Sequence, residues 1–171
     1  MVAIAGICLL LAINVAAYLA PIDYSGLTGF AYPGAFIVCF LANALIAIPI
    51  PYIPLIARIG ASADSVVLVV AFAALGSALG ESVAFVVGRA EQGLVSEHRV
   101  YRWLHRIAKR KILSGLFIFA FAVPLNPVFD VAGLAAGAVG VSFRVFFVAV
   151  LLARSIRLGF IVWAGAAWGL V

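Results

Sequence analysis

The sequence predicts an all-α integral membrane protein, a helical bundle with two opposed re-entrant helical hairpins and an interfacial amphipathic helix. Of its 171 residues, 67% are hydrophobic and 10% are charged, a balance far more apolar than that of a soluble domain. Two apolar runs are long enough to cross a bilayer, and five of the seven prolines interrupt two further runs. No Ser/Gly-rich or charge-rich linker divides the chain, so we expect one membrane domain over residues 1–171.

The first apolar run, residues 2–20, is predicted to be a membrane helix. It could be mistaken for a signal peptide, but the first basic residue in the chain is Arg58 and no clear A-x-A site follows the run. Cys8 and Cys39 lie alone in apolar runs, which is typical of buried reduced thiols.

Residues 64–88 form the clearest spanning segment, because 25 residues at about 1.5 Å each exceed a hydrocarbon core of about 30 Å. Its small residues, Gly76, Ser77, Gly80 and Ala84, should let a second helix approach closely. Residues 144–169 are equally suited to spanning but contain Arg154 and Arg157.

The segments 34–48 and 112–123 are too short to span, and each runs into a cluster of prolines. Proline removes a backbone donor, so a continuous helix through either cluster is not expected. Because irregular backbone at membrane depth must face protein or a water-filled cavity, both are predicted to be re-entrant. The predicted helix breaks are Pro49, Pro51, Pro54, Pro124 and Pro127.

The two breaks also resemble each other. The pattern Pro-x-x-Pro-x5-Gly ends at Gly60 and recurs 73 residues later, ending at Gly133, and the same offset places Glu81 opposite Arg154. Coincidence is one explanation. The other is an inverted repeat, whose paired interrupted segments indicate a transporter with its site at the midplane.

Residues 89–111 hold seven of the eleven Lys/Arg residues, which predicts a cytoplasmic location. Arginines from Arg99 to Arg110 share one helical face, with Val100, Leu104 and Ile107 on another. This pattern favours an amphipathic helix on the membrane surface that is attracted to anionic headgroups, although a solvated loop would look similar. Such local charge argues against a nucleic-acid partner.

Four ionisable residues fall within the apolar part of the chain: Glu81, Asp130, Arg154 and Arg157. Such residues usually mark a pathway or a site. Their depths suggest that Glu81 and Arg154 meet, either in a functional pair or in a salt bridge that only joins two helices. Asp130 either caps the helix that restarts after the second break or serves as a midplane carboxylate that partners an arginine or carries a proton.

Enzymatic constellations are missing from the apolar part of the chain. Both histidines, His98 and His105, lie in the basic segment, so we expect them at the interface rather than in a catalytic or zinc site. The sequence therefore predicts neither an enzyme nor a metal site or cofactor.

Taken in order, several motifs resemble the DedA/VTT (SNARE-associated Golgi protein) family over about residues 34–160. They are Gly76-x-x-x-Gly80-Glu81-x-x-x-Phe85-x-x-Gly88-Arg89, Pro124-x-Asn126-Pro127-x-x-Asp130-x-x-Gly133-x-x-Ala136-Gly137, Arg144, and Arg154-x-x-Arg157. The resemblance implies opposed re-entrant hairpins and movement of phosphate-bearing lipids, either polyprenyl phosphate or phospholipid, across the bilayer.

By position, the resemblance implies a substrate or ion pathway formed by Glu81, Arg89, Asn126, Asp130, Arg154 and Arg157. This chain also departs from the family's pattern. Tyr52 stands where many members have an acid, Phe85 replaces a common Tyr, and Arg154 stands where a Lys is often seen. Loss of the first acid weakens the case for the usual proton coupling.

The functional expectation is a transporter or scramblase-like protein whose partners are anionic or phosphate-bearing membrane lipids. Two arginines on one helical face suit this role, since guanidinium binds phosphate oxygens in bidentate fashion. A small-solute or drug exporter and a non-transporting scaffold are the alternatives. We expect a multi-pass protein, in the plasma (inner) membrane if prokaryotic, and homo-oligomers are possible.

Overall fold

The computed structural model describes residues 30–45, 52–91, 99–123 and 129–167. These residues form seven α-helices and no strand, as the sequence predicts. The helices are α1 (Ala31–Ala44), α2 (Tyr52–Ser62), α3 (Val66–Ala90), α4 (Arg99–Ala108), α5 (Lys111–Ala122), α6 (Phe129–Val139) and α7 (Phe143–Ala167). The expected helix over residues 2–20 lies outside the described residues, as do Pro49, Pro51, Pro124, Asn126 and Pro127.

The two long helices, α3 and α7, are the ones expected to span. Helix α3 begins two residues later than predicted, because the side chain of Ser65 caps it by accepting a hydrogen bond from the Leu68 amide at 3.4 Å. Val66–Ala90 and Phe143–Ala164 are both long and apolar enough to cross a membrane. At 14 and 12 residues, α1 and α5 are too short to cross a core of about 30 Å.

The structure corrects two details of the proline breaks. Pro54 lies within the first turn of α2 rather than in the break itself. The first four N–H groups of a helix have no intrahelical acceptor, so a proline there loses no hydrogen bond. Asp130 is likewise inside the first turn of α6, after Phe129, rather than at the capping position. That the two breaks are re-entrant stays a prediction.

Each half of the chain exchanges a short helix with the other. Within its own half, α1 packs on α3 and α5 packs on α7, whereas α2 packs on α7 and α6 packs on α3. The glycines that end the two proline motifs face these exchanged contacts. A Cβ at Gly60 would overlap Val162 of α7, and one at Gly133 would touch Ala84 of α3 at 3.4 Å. The internal similarity in the sequence therefore corresponds to a similar packing of the two halves.

The small-residue face of α3 receives α1, which confirms the predicted close approach of a second helix. A side chain at Gly76 would overlap the carbonyl oxygen of Phe36, and one at Gly80 would lie 2.5 Å from the carbonyl oxygen of Phe40. Further along α3, Gly88 lies equally close to the backbone of Leu134 in α6. Backbone contact at these positions leaves no space for a methyl group.

Helix α4 carries exposed basic side chains, including Arg102 and Arg106. Its contact with the rest of the bundle includes a hydrogen bond from His105. His105 Nδ1 lies 2.7 Å from the carbonyl oxygen of Val139, the last residue of α6, and donates a hydrogen bond to it. The chain then turns at Gly140, which has a φ of 92° that suits glycine. Two backbone hydrogen bonds close this turn in the Schellman pattern, and α7 begins three residues after Gly140.

Buried apolar residues form two clusters, one around Phe146 and Phe85 and the other around Ile56 and Leu158. The outer surface is also apolar, and Val67, Ile112 and Trp163 are each more than 60% exposed. A water-soluble protein rarely exposes so much contiguous apolar surface, whereas a protein surrounded by lipid does so along its spanning helices.

Candidate functional site

The two long helices are joined by an ion pair in which Arg154 of α7 donates from Nη2 to Glu81 Oε1 of α3. The Glu81 side chain is 0% exposed and that of Arg154 is 3% exposed, so water does not screen their interaction. On α7, Ala153 belongs to one hydrophobic cluster and Leu158 to the other. The pair therefore lies where the two clusters meet, in the middle of the bundle.

The third neighbour of this pair is α6, which reaches it at Gly133. A Cβ built on Gly133 would lie 3.7 Å from the Glu81 carbonyl oxygen and 3.8 Å from Glu81 Oε2. A residue larger than glycine or alanine would push α6 away from the carboxylate. The glycine of the second proline motif thus lets the helix after the break pack beside Glu81.

Arg157 lies one turn beyond Arg154 on α7 and has a different environment. Its side chain is half-buried, and its Nε is buried without a hydrogen-bond partner among the described residues. The described side chains near its guanidinium include those of Tyr52, Arg154, Glu81 and Cys39. Since Glu81 already binds Arg154, the described part of the site gives Arg157 no carboxylate of its own.

The structure separates Arg89 from this centre. Arg89 occupies the last turn of α3, eight residues and so about 12 Å along the helix from Glu81, and its side chain is exposed. Its guanidinium carbon lies 5.9 Å from the ring centroid of Phe85, in a cation–π contact. Arg89 was expected in the pathway; the structure places it at the end of α3, apart from the ion pair, and its role in the pathway stays a prediction.

Asp130 and Asn126 come from the second proline motif. Asp130 precedes Gly133 by three residues on α6, within about one turn of the helix position that packs beside Glu81. Asn126 lies outside the described residues. Of the six predicted pathway residues, the structure brings Glu81, Arg154 and Arg157 together.

Sequence reasoning did not assign Tyr52 of α2 or Cys39 of α1 to this site. Tyr52, the first residue of α2, lies near Arg157, as does the buried Cys39 of α1. Asn43 is also buried, and its Nδ2 donates to the Cys39 carbonyl oxygen at 2.6 Å. The sequence did mark Tyr52 as unusual, because it replaces an acid in the family's pattern. It did not indicate which helix Tyr52 would face.

These features define a helical membrane protein with a charged centre enclosed between its two long helices. The model of the VTT domain family matches residues 50–167. The chain belongs to this family, whose domain is that of the DedA/SNARE-associated Golgi proteins, and the resemblance found in its motifs is confirmed. No curated protein and no solved structure matches the chain significantly.

Proposed function

We propose that this protein moves phosphate-bearing lipids, either polyprenyl phosphate or phospholipid, across the bilayer, and that Arg157 binds the phosphate. The observation that carries the proposal is the position of Arg157. It lies beside a buried ion pair, with a donor that has no acceptor among the described residues. A guanidinium in that state suits an anionic oxygen that arrives with a substrate.

The charges of the centre support an anionic substrate. Glu81, Arg154 and Arg157 bring one negative and two positive charges within the bundle, so together they are positive. A phosphate at Arg157 would balance them, whereas a cationic drug or solute would meet repulsion from both guanidinium groups. This favours lipid phosphate over the export of cations.

The two arginines have different roles in the proposal. Arg154 neutralises Glu81 and fixes α7 against α3, while Arg157 is left to bind a mobile ligand. Tyr52 belongs to the same arrangement. A phenol next to Arg157 leaves the guanidinium charge uncompensated, whereas a carboxylate at that position would pair with Arg157 and compete with phosphate. The protein thus acts as a multi-pass lipid transporter rather than as an enzyme.

The proposal is tested by a lipid-flip assay in liposomes. Arg157→Gln should abolish movement of fluorescent phospholipid or polyprenyl phosphate and leave thermal stability nearly unchanged. Tyr52→Glu should also slow transport, because the new carboxylate would occupy Arg157. Ser155→Ala is the matched control on the same helix, since its hydroxyl donates to the Leu151 carbonyl oxygen of that helix at 2.8 Å. Normal transport by Arg157→Gln would disprove the proposed role of Arg157.

A scaffold would behave differently in the same experiment. It should tolerate Arg157→Gln and Tyr52→Glu as long as the variants fold, and the unmodified protein should move no lipid. Failure of the unmodified protein to move either lipid class would refute transport itself.

A further inference from the structure

A second cationic position lies far from the charged centre, at the start of α5 and α7. Lys111 is the first residue of α5 and Arg144 is the second residue of α7, and both side chains are exposed. The two helix starts are adjacent, because a Cβ at Gly115 would lie 3.2 Å from Val145. Arg144 is 13 residues before Arg157, about 20 Å away along α7.

Both cations line the same groove between α5 and α7. This open groove has a volume of about 580 Å³, and apart from Lys111 and Arg144 its walls are apolar, formed by residues such as Leu116, Val148 and Leu152. Those three side chains are 61%, 53% and 54% exposed, so the groove opens on the outer face of the bundle. Its volume is within the range of about 300–1,000 Å³ found for ligand sites.

The groove therefore has a polar end and an apolar length. At the polar end, two cations meet the N-termini of two helices, which add partial positive charge. The side chain of Arg110, which precedes α5, makes no capping hydrogen bond there. No ion pair engages Lys111 or Arg144 within the described part of the chain. The rest of the groove could hold only hydrocarbon.

We infer that this groove binds one anionic phospholipid, with its phosphate between Lys111 and Arg144 and an acyl chain between α5 and α7. A free phosphate would make no contact with the apolar walls, and a lipid without an anionic headgroup would make no ion pair with the two cations. Lys111 also ends the basic segment that we expect on the cytoplasmic side, where anionic lipids are concentrated. The site is distinct from Arg157 and does not depend on transport.

Native mass spectrometry of the protein in detergent would test this site, with phosphatidylglycerol and phosphatidylcholine of identical acyl chains. The unmodified protein should retain one phosphatidylglycerol in preference to phosphatidylcholine. Lys111→Gln and Arg144→Gln should each weaken phosphatidylglycerol binding by about fivefold, as expected for one cation near an anionic headgroup, and the double variant by about 25-fold. Arg144→Lys should keep the preference, and Arg102→Gln is the matched control, an exposed cation outside the groove.

Two further measurements separate the alternatives. Val148→Trp should weaken binding of both lipids by filling the groove, and glycerol 3-phosphate should not displace the lipid. Displacement by glycerol 3-phosphate would indicate a simple phosphate site and overturn the inference. So would an unchanged preference in the Lys111/Arg144 double variant. If Arg157→Gln alone removed the preference, the retained lipid would lie at the charged centre, and only the groove inference would be lost.

Discussion

Removing one member of the buried ion pair should destabilise the protein strongly. In Arg154→Gln, the Glu81 carboxyl group, which is 0% exposed, would lose the guanidinium that balances it, so it would either stay charged without a partner or take up a proton, and both are costly. Breaking a buried pair in this way costs about 3–5 kcal/mol, because an uncompensated charge remains. Arg102→Gln is the control: its cation is exposed on α4 and lies outside both the charged centre and the groove, so the free energy of unfolding should change by less than about 0.5 kcal/mol.

The double-mutant cycle distinguishes a direct interaction from general damage to the core. Glu81→Gln should also destabilise, but Glu81→Gln combined with Arg154→Gln should recover part of the loss, because two amides can share a hydrogen bond without a net charge. The coupling free energy expected for contacting residues is about 1–3 kcal/mol. It would be measured by reversible unfolding in mixed micelles at a fixed lipid content.

The same measurements can also contradict the prediction. If the two single substitutions added without coupling, the pair would not join α3 to α7, and the division of roles between Arg154 and Arg157 would be wrong. A stable Arg154→Gln variant that lost transport would assign Arg154, rather than Arg157, to the substrate.

Two other predictions concern packing and topology. Gly76→Ala should lower the free energy of unfolding by about 1–3 kcal/mol, because its methyl group would overlap a carbonyl of α1. Gly159→Ala is the control: the new methyl group would make an ordinary contact at 3.9 Å, so the change should be neutral or slightly stabilising. Single cysteines at Gly34 and Ser62, in a background without the native cysteines, should react with a membrane-impermeant reagent from the same side if α1 and α2 form a re-entrant hairpin. Labelling from opposite faces would rule that hairpin out.

The long helices and their ion pair could be predicted because their signals are local. A largely apolar run of 25 residues defines α3, and Glu81 and Arg154 stand out as charges within such runs. Their depths along two helices then suffice to suggest a contact. The small-residue face of α3 likewise identifies a packing surface through a spacing of four residues, as Gly76 and Gly80 show.

The packing of α2 and α6 on the opposite halves of the chain could not be predicted from local sequence signals. The contact of Gly60 with Val162 joins residues 102 positions apart, and no local pattern encodes such a partner. Tyr52 was noticed only as a departure from the family, since its proximity to Arg157 depends on that exchange. A motif shows that residues occur together in a sequence, not that they meet in space, so it could not indicate that Arg89 lies apart from the ion pair, and the role of Arg89 in the pathway stays a prediction.

The exchange of short helices also sets an order of events during synthesis. Glu81 leaves the ribosome 73 residues before Arg154, an interval of about 4–15 s at common elongation rates of about 5–20 residues per second. Throughout that time α3 lacks its guanidinium partner, and it also lacks α6 until Val139 has been synthesised. Until α7 is inserted, the Glu81 carboxylate must therefore be hydrated, protonated or shielded by the insertion machinery. Insertion of α7 then completes the packing of both halves.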